Sequence, residues 1–201
     1  DYNLGQIYQQ SGRIREAEAK FKKSSERDPK YVDAHNGLGL LYYEQGMYEE
    51  AEAEYQRALA IRSDAIVRNN LGLLYFKQGK LENSRLEFLA AIEMDPKNIE
   101  AHNNLGLLYS DMGLLKEAEG EYKAAIKIDI DYTIAHLNLG VLYKKIGALQ
   151  QAEQELKLGL YLEPEKVEIH SLLGEVYLMQ DLPAPAEAEF KEARRLCQEK
   201  S

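Results

Sequence analysis

The chain has one cysteine, five prolines and no tryptophan in 201 residues. The single cysteine, Cys197, excludes an intramolecular disulfide and a cluster of thiolate metal ligands, because both need more than one sulfur atom. A protein that carries no structural disulfide is typical of a reducing compartment. The cysteine content therefore favours a cytoplasmic location.

Basic residues and long apolar runs are scarce as well. Lysine and arginine number 25 against 34 acidic residues, and the formal net charge is -9. This balance opposes electrostatic binding to nucleic acid or anionic lipid, since both require clustered cations. No run approaches the roughly 18 apolar residues of a membrane span, and the N-terminus lacks a signal-peptide pattern. We expect no nucleic-acid partner, no membrane span and, because the chain starts at Asp1, a segment of a longer protein.

A repeated motif is what the sequence does have. A Leu-Gly dipeptide with a Tyr three residues after the Gly occurs six times. Successive glycines of this motif lie 34, 33, 34, 34 and 34 residues apart. A fixed period of this length is typical of stacked two-helix repeats, because one repeat alone cannot bury its apolar faces.

Each repeat has the pattern of a helical hairpin. Its apolar residues fall in two blocks of helical spacing, and a short turn separates the blocks. The turn holds a Gly in five repeats and Asp181 in the sixth. A Gly there can take the left-handed conformation that follows a helix end. The second block pairs a small residue with a large one four positions later, as close helix packing requires.

These residues resemble the tetratricopeptide repeat (TPR) family over essentially the whole chain. The resemblance implies an all-α, right-handed superhelical solenoid of helix-turn-helix repeats. It also implies a protein–protein interaction scaffold whose first helices line a concave groove. The expected domain is a single TPR array over residues 1–201, with repeats at 1–31 (N-terminally truncated), 32–64 (one residue short), 65–98, 99–132, 133–166 and 167–201.

The histidines are the natural candidates for chemistry, and all four hold the same position in the repeat. They are His35, His102, His136 and His170. Adjacent repeats place equivalent residues about 10 Å apart, which is too far for the histidines to share one metal ion easily. The chain also lacks a phosphate-binding glycine loop and a nucleophile elbow. We therefore expect structural histidines, no catalytic residue, no metal, no cofactor and no enzymatic activity.

Asparagines recur at a second position. In the TPR family the residue two before the Gly points into the groove, and four of the six here are Asn. Similar asparagine ladders bind peptide backbones in the repeats of the O-linked N-acetylglucosamine transferases. The alternative is that these asparagines are only solvated polar residues on an exposed helix face, and that the Leu and Val residues one turn further along simply pack against adjacent helices. The predicted groove residues are Asn3, Asn36, Asn69, Asn70, Asn103, Asn104 and Asn138, with Leu73, Leu107 and Val141 on the floor and Tyr43 and Phe76 at the lip.

Such a groove would take an extended peptide or an amphipathic helix of a partner protein. Six acidic residues at its margin favour a partner with basic residues, although Lys77, Lys144 and Lys145 oppose this locally; the six are Asp33, Glu44, Glu100, Asp111, Glu168 and Glu175. Two alternatives stay open. The chain could self-associate through the ends of the array, or it could recruit substrates for a catalytic domain outside this sequence.

Overall fold

The computed structural model describes residues 1–199, which form twelve α-helices and no strand. Most helices have 13 or 14 residues, and the first helix of each repeat is followed by a tight turn and the second helix. The bounds are α1 Tyr2–Gln10, α2 Ile14–Arg27, α3 Val32–Glu44, α4 Tyr48–Ile61, α5 Ala65–Lys77, α6 Leu81–Met94, α7 Ile99–Asp111, α8 Leu115–Ile128, α9 Thr133–Lys145, α10 Leu149–Leu162, α11 Val167–Met179 and α12 Pro183–Glu199.

The helices belong to two compact units, with the division between Ala101 and His102, inside α7. In unit 1 the hairpins are α1–α2, α3–α4 and α5–α6. In unit 2 the ring of Tyr122 on α8 packs against α7, and α9–α10 and α11–α12 form the next hairpins. The fold is therefore the all-α solenoid of TPR hairpins that the period predicts. The assignment of residues 1–201 to a single array stays a prediction.

The Gly of the Leu-Gly motif is required by close packing inside each hairpin. A Cβ atom placed on Gly39 would lie 2.5 Å from Cε1 of Tyr55, and one on Gly106 would lie 2.7 Å from Cε1 of Tyr122. Both rings are buried, with 0% and 2% of their surface exposed. The first helix can approach the ring of the second only where it carries no side chain.

The Tyr of the same motif connects one hairpin to the preceding one. In the second, third and fifth repeats its hydroxyl donates a hydrogen bond to a Glu on the preceding second helix: Tyr42 to Glu18 at 3.0 Å, Tyr75 to Glu52 at 2.9 Å and Tyr143 to Glu119 at 2.8 Å. Burial, together with the hydrogen bond to Glu52, raises the pKa of Tyr75 to about 12. The phenol therefore stays protonated at neutral pH and keeps its donor.

The turn between the two helices needs a left-handed residue. The turn glycines of the first five repeats have φ between 70° and 77°. Asp181 takes this position in the sixth repeat, with φ of 59°. A side chain in this region is strained, although Asp tolerates it better than most residues.

Replacing Asp181 with Gly is expected to raise the free energy of unfolding by about 0.5–1 kcal/mol, because the strain of the side chain outweighs the extra chain entropy of Gly. The converse replacement, Gly147→Asp, serves as the matched control and is expected to destabilise by a similar amount. Urea unfolding followed by circular dichroism measures both. Equal stability of Asp181→Gly and the wild type would contradict the expectation.

Candidate functional site on the first helices

Each of the four histidines forms a hydrogen bond that joins the two helices of its hairpin. In unit 2, His136 donates from Nδ1 to Oε2 of Glu155 at 2.7 Å and from Nε2 to the carbonyl oxygen of Ile130 at 2.8 Å. Both bonds form together only when each ring nitrogen carries a proton, because a carboxylate and a carbonyl oxygen accept hydrogen bonds. The same bond to a Glu 19 residues later recurs at the other histidines: His35 to Glu54, His102 to Glu121 and His170 to Glu189.

The third repeat keeps the pairing with a different basic residue. Arg68 replaces the histidine there, and its guanidinium donates to Glu87 at 2.8 Å. In the fifth repeat, the hydrogen bond to Glu155 raises the pKa of His136 against the opposing effect of burial. No group of three or more His, Cys, Asp or Glu side chains in residues 1–199 is placed to hold a metal ion. The histidines therefore have a structural explanation.

The asparagines bond to one another between neighbouring first helices. In unit 1, Nδ2 of Asn70 donates to Oδ1 of Asn36 at 2.9 Å. In unit 2, Nδ2 of Asn138 donates to Oδ1 of Asn103, also at 2.9 Å. Each bond joins the residue two before the Gly to the residue three before the Gly of the preceding repeat. These pairs support the stack, and they also fix the orientation of the amides.

The structure separates the predicted groove residues by exposure. Asn69 and Asn103 are buried, with 6% and 5% of their surface exposed, so they cannot offer a wide contact surface. The sequence pattern did not distinguish them from their neighbours. The other predicted residues are accessible: Asn36, Asn70, Asn104, Asn138, Leu73, Tyr43 and Phe76 are half-buried, and Asn3, Leu107 and Val141 are exposed.

A cavity of about 380 Å³ opens on the first helices of unit 1, at Gly37. We call it the Gly37 cavity. It includes three of the predicted asparagines, and several lining residues were not predicted as groove residues although they occupy equivalent repeat positions. Its lining is Tyr2, Gln6, Gln9, Phe21, Asn36, Gly37, Leu40, Ile66, Asn69, Asn70, Asn98 and Glu100.

A second cavity, of about 390 Å³, lies in unit 2 between α8, α9 and α10. Its rim is apolar and accessible: Ile130 is 72% exposed and Tyr161 is 83% exposed. The His136–Glu155 pair forms part of its wall. Sequence reasoning missed this surface, and the available signal was a large aromatic residue at an outward position of α10.

The charges at the margins of the first helices are partly compensated. In unit 2, Lys144 pairs with Glu175, and Lys145 donates to the carbonyl oxygen of Ser110 at 3.3 Å. In unit 1, Glu44 accepts a hydrogen bond from Gln9 at 2.9 Å. The two lysines of unit 2 that were predicted to oppose a basic partner therefore already interact with groups of the same unit.

Comparison with known protein families identifies the family of the chain. The family model of the cilia and flagella-associated protein 70 C-terminal domain, a TPR domain, matches residues 1–201. The chain belongs to this family. TPR domains generally mediate protein–protein interactions and serve as non-catalytic scaffolds. No curated protein sequence matches the chain well enough to serve as a relative.

Solved structures similar to this C-terminal TPR domain share its fold at low sequence identity. PilF of Pseudomonas aeruginosa is 24% identical, with a TM-score of 0.85 over 97% of this chain and 89% of its own. One chain of the APC/C hetero-tetramer Cut9-Hcn1 is 22% identical, with a TM-score of 0.84 over 96% of this chain but only 38% of its own. YrrB, described as a TPR protein with an unusual peptide-binding site, is 22% identical, with a TM-score of 0.62 over 84% of this chain and 87% of its own.

The helices of the domain were also compared with the requirements of a membrane span. Within residues 1–199, none combines the length and the apolar composition needed to cross a bilayer.

Proposed function

We propose that the first helices of this TPR domain bind an extended peptide segment of a partner protein. The observation that carries the proposal is the pair of amide bonds, Asn36–Asn70 in unit 1 and Asn103–Asn138 in unit 2. Each bond uses one N–H of one carboxamide and one lone pair of the other. A carboxamide has two N–H donors and an oxygen with two lone pairs, so further hydrogen bonds can form. In the part of the chain that the structure describes, no hydrogen bond uses Oδ1 of Asn70 or Asn138.

The geometry of adjacent repeats suits an extended chain. First helices pack at about 8–10 Å, and an extended peptide rises about 3.3 Å per residue, so roughly every third residue meets an amide. A carboxamide can donate to a backbone carbonyl and accept from a backbone N–H without reading the side chain. The description of YrrB as a peptide-binding TPR protein is consistent with this use of the fold.

Apolar residues beside the amides would supply further affinity. Leu107 and Val141 are 39% and 37% exposed on the first helices of unit 2, and Leu73 and Phe76 are half-buried in unit 1. Burying such side chains against a peptide contributes in proportion to the apolar area removed from water. Self-association and a recruiting role beside a catalytic domain remain the alternatives.

The test is a variant with Asn70, Asn104 and Asn138 all replaced by Ala. Peptides selected from a displayed random library on the wild-type domain are expected to bind this variant at least ten-fold more weakly, because each hydrogen bond contributes about 0.5–1.5 kcal/mol. Fluorescence anisotropy with labelled peptides measures the affinity, and circular dichroism verifies that the variant is folded.

The matched control is Asn83→Ala. Asn83 is an exposed asparagine on α6, a second helix, and its loss is expected to leave the affinity unchanged. Equal affinities of the folded triple variant and the wild type would reject the ladder. An apparent molar mass, measured by light scattering without peptide, that rises with protein concentration would instead favour self-association.

A further inference from the structure

The Gly37 cavity lies where the series of asparagines on the first helices is interrupted. Gly37 occupies the position held by Asn70, Asn104 and Asn138 in later repeats. A Cβ on Gly37 would lie 3.1 Å from Cε1 of Phe21, so the buried phenyl ring packs directly against Gly37. The cavity of about 380 Å³ is more than ten times the roughly 30 Å³ that one water occupies, which is room for a long side chain.

The lining is apolar at the base and polar at the walls. Leu40, which is half-buried, and Ile66, which is 61% exposed, supply the accessible apolar surface, while the ring of Phe21 is fully buried. The amides of Gln6, Gln9, Asn36, Asn69 and Asn70 and the carboxylate of Glu100 supply the polar atoms. Among the lining residues that the structure describes there is one anion and no cation.

Further acidic groups lie close to the cavity. Glu44 accepts a hydrogen bond from Gln9, which is one of the lining residues. Asp33 lies near Tyr2, another lining residue. Burial makes the largest contribution to raising the pKa of the Tyr2 phenol, and the negative charge of Asp33 raises it further. The surroundings of the cavity therefore favour positive charge.

We propose that the Gly37 cavity binds a lysine or arginine side chain of the peptide that occupies the first helices. This proposal rests on the proposed function and names one feature of the partner. The aliphatic stem would lie on Leu40 and Ile66, and the cationic head would meet Glu100 and the amide oxygens. Arginine is the better fit, because its five N–H donors match several acceptors at once.

Other side chains fit this lining less well. A carboxylate would face Glu100, with Glu44 and Asp33 nearby, and would meet no cation among the lining residues. A leucine would bury amide groups without giving them hydrogen bonds, which costs free energy. The lining therefore discriminates by charge and by hydrogen bonding.

The experiment uses a short acetylated peptide of Thr, Gln and Ala whose central residue is Arg, Leu or Glu. Each peptide is titrated into the labelled domain, and the backbone amide signal of Gly37 is followed by NMR. The Arg peptide is expected to shift this signal and to bind about five-fold more tightly than the Leu peptide. Glu100→Gln is expected to reduce that preference about three-fold, as loss of an exposed ion pair does.

Glu168→Gln is the matched control, because Glu168 is exposed at the equivalent position of the sixth repeat. It is expected to leave the preference for Arg unchanged. Equal affinity for all three peptides, with signals of Asn70 still shifting, would overturn the assignment of the cavity and leave the proposed function standing. If no peptide shifts any signal on the first helices, both proposals fail.

Discussion

Replacing His136 with Leu is expected to lower the free energy of unfolding by about 2–4 kcal/mol. The substitution removes the donors to Glu155 and to the carbonyl oxygen of Ile130. It leaves a carboxylate without its cation in a largely buried site, and breaking such a pair costs far more than an exposed pair contributes. Urea unfolding of the wild type and the variant at pH 6 measures the difference.

The His136–Glu155 pair is also expected to make the stability of the domain depend on pH. The hydrogen bond to Glu155 raises the pKa of His136 above its ordinary value of 6.5. A raised pKa in the folded state means that the folded protein binds the proton more tightly than the unfolded chain. This contribution is fully present below pH 6.5 and is lost as the pH rises through the folded pKa. The melting temperature should therefore fall from pH 6 to pH 8.5.

Glu155→Gln is the matched control for this effect. A glutamine amide can donate to Nδ1 of His136 while Nε2–H still donates to Ile130, so both bonds survive with a neutral ring. Asp131 and Lys123, which line the same cavity, are unchanged in this variant. The fall in melting temperature between pH 6 and pH 8.5 should be smaller in Glu155→Gln than in the wild type. An identical pH profile of the melting temperature in both proteins would contradict the assignment of this effect to the His136–Glu155 pair.

The period of the sequence was sufficient to predict the helical hairpins. Small and large residues recur with the Leu-Gly motif because the Gly of each first helix meets a large side chain of its own second helix, as Gly39 meets Tyr55. Such contacts are local in sequence and identical in kind from repeat to repeat. The glutamates that bind the histidines recur equally regularly, 19 residues later. Their pairing required the structure, because a regular spacing does not show which polar residues touch.

The candidate site was predicted less completely than the fold. The asparagine positions follow from the repeat, but burial depends on how closely adjacent first helices approach. That distance covers Asn69 and Asn103 while leaving Asn70 and Asn138 accessible. The Gly37 cavity illustrates a second limit. The sequence shows a missing amide there, but the depth of the cavity depends on where the Phe21 ring lies.

The same substitution, Gly to Ala, is expected to have opposite effects at two glycines of one hairpin. At Gly106 on α7, the new Cβ would lie 2.7 Å from Cε1 and 2.8 Å from Cδ1 of the buried Tyr122 ring. Overpacking of this kind costs about 1–3 kcal/mol, and the ring has little room to move. After the gain in helix propensity, Gly106→Ala is expected to destabilise the domain by about 2 kcal/mol.

Gly120 on α8 provides the internal control. Apart from the backbone of its own helix and its chain neighbours, nothing lies within 4 Å of the position that its Cβ would occupy. Alanine there adds helix propensity without a clash and is expected to stabilise the domain by up to about 1 kcal/mol. Thermal and urea unfolding of the two variants should therefore differ in sign. If Gly106→Ala also proved stabilising, the first helix would have room to move away from Tyr122, and close packing would not explain the Gly of the motif.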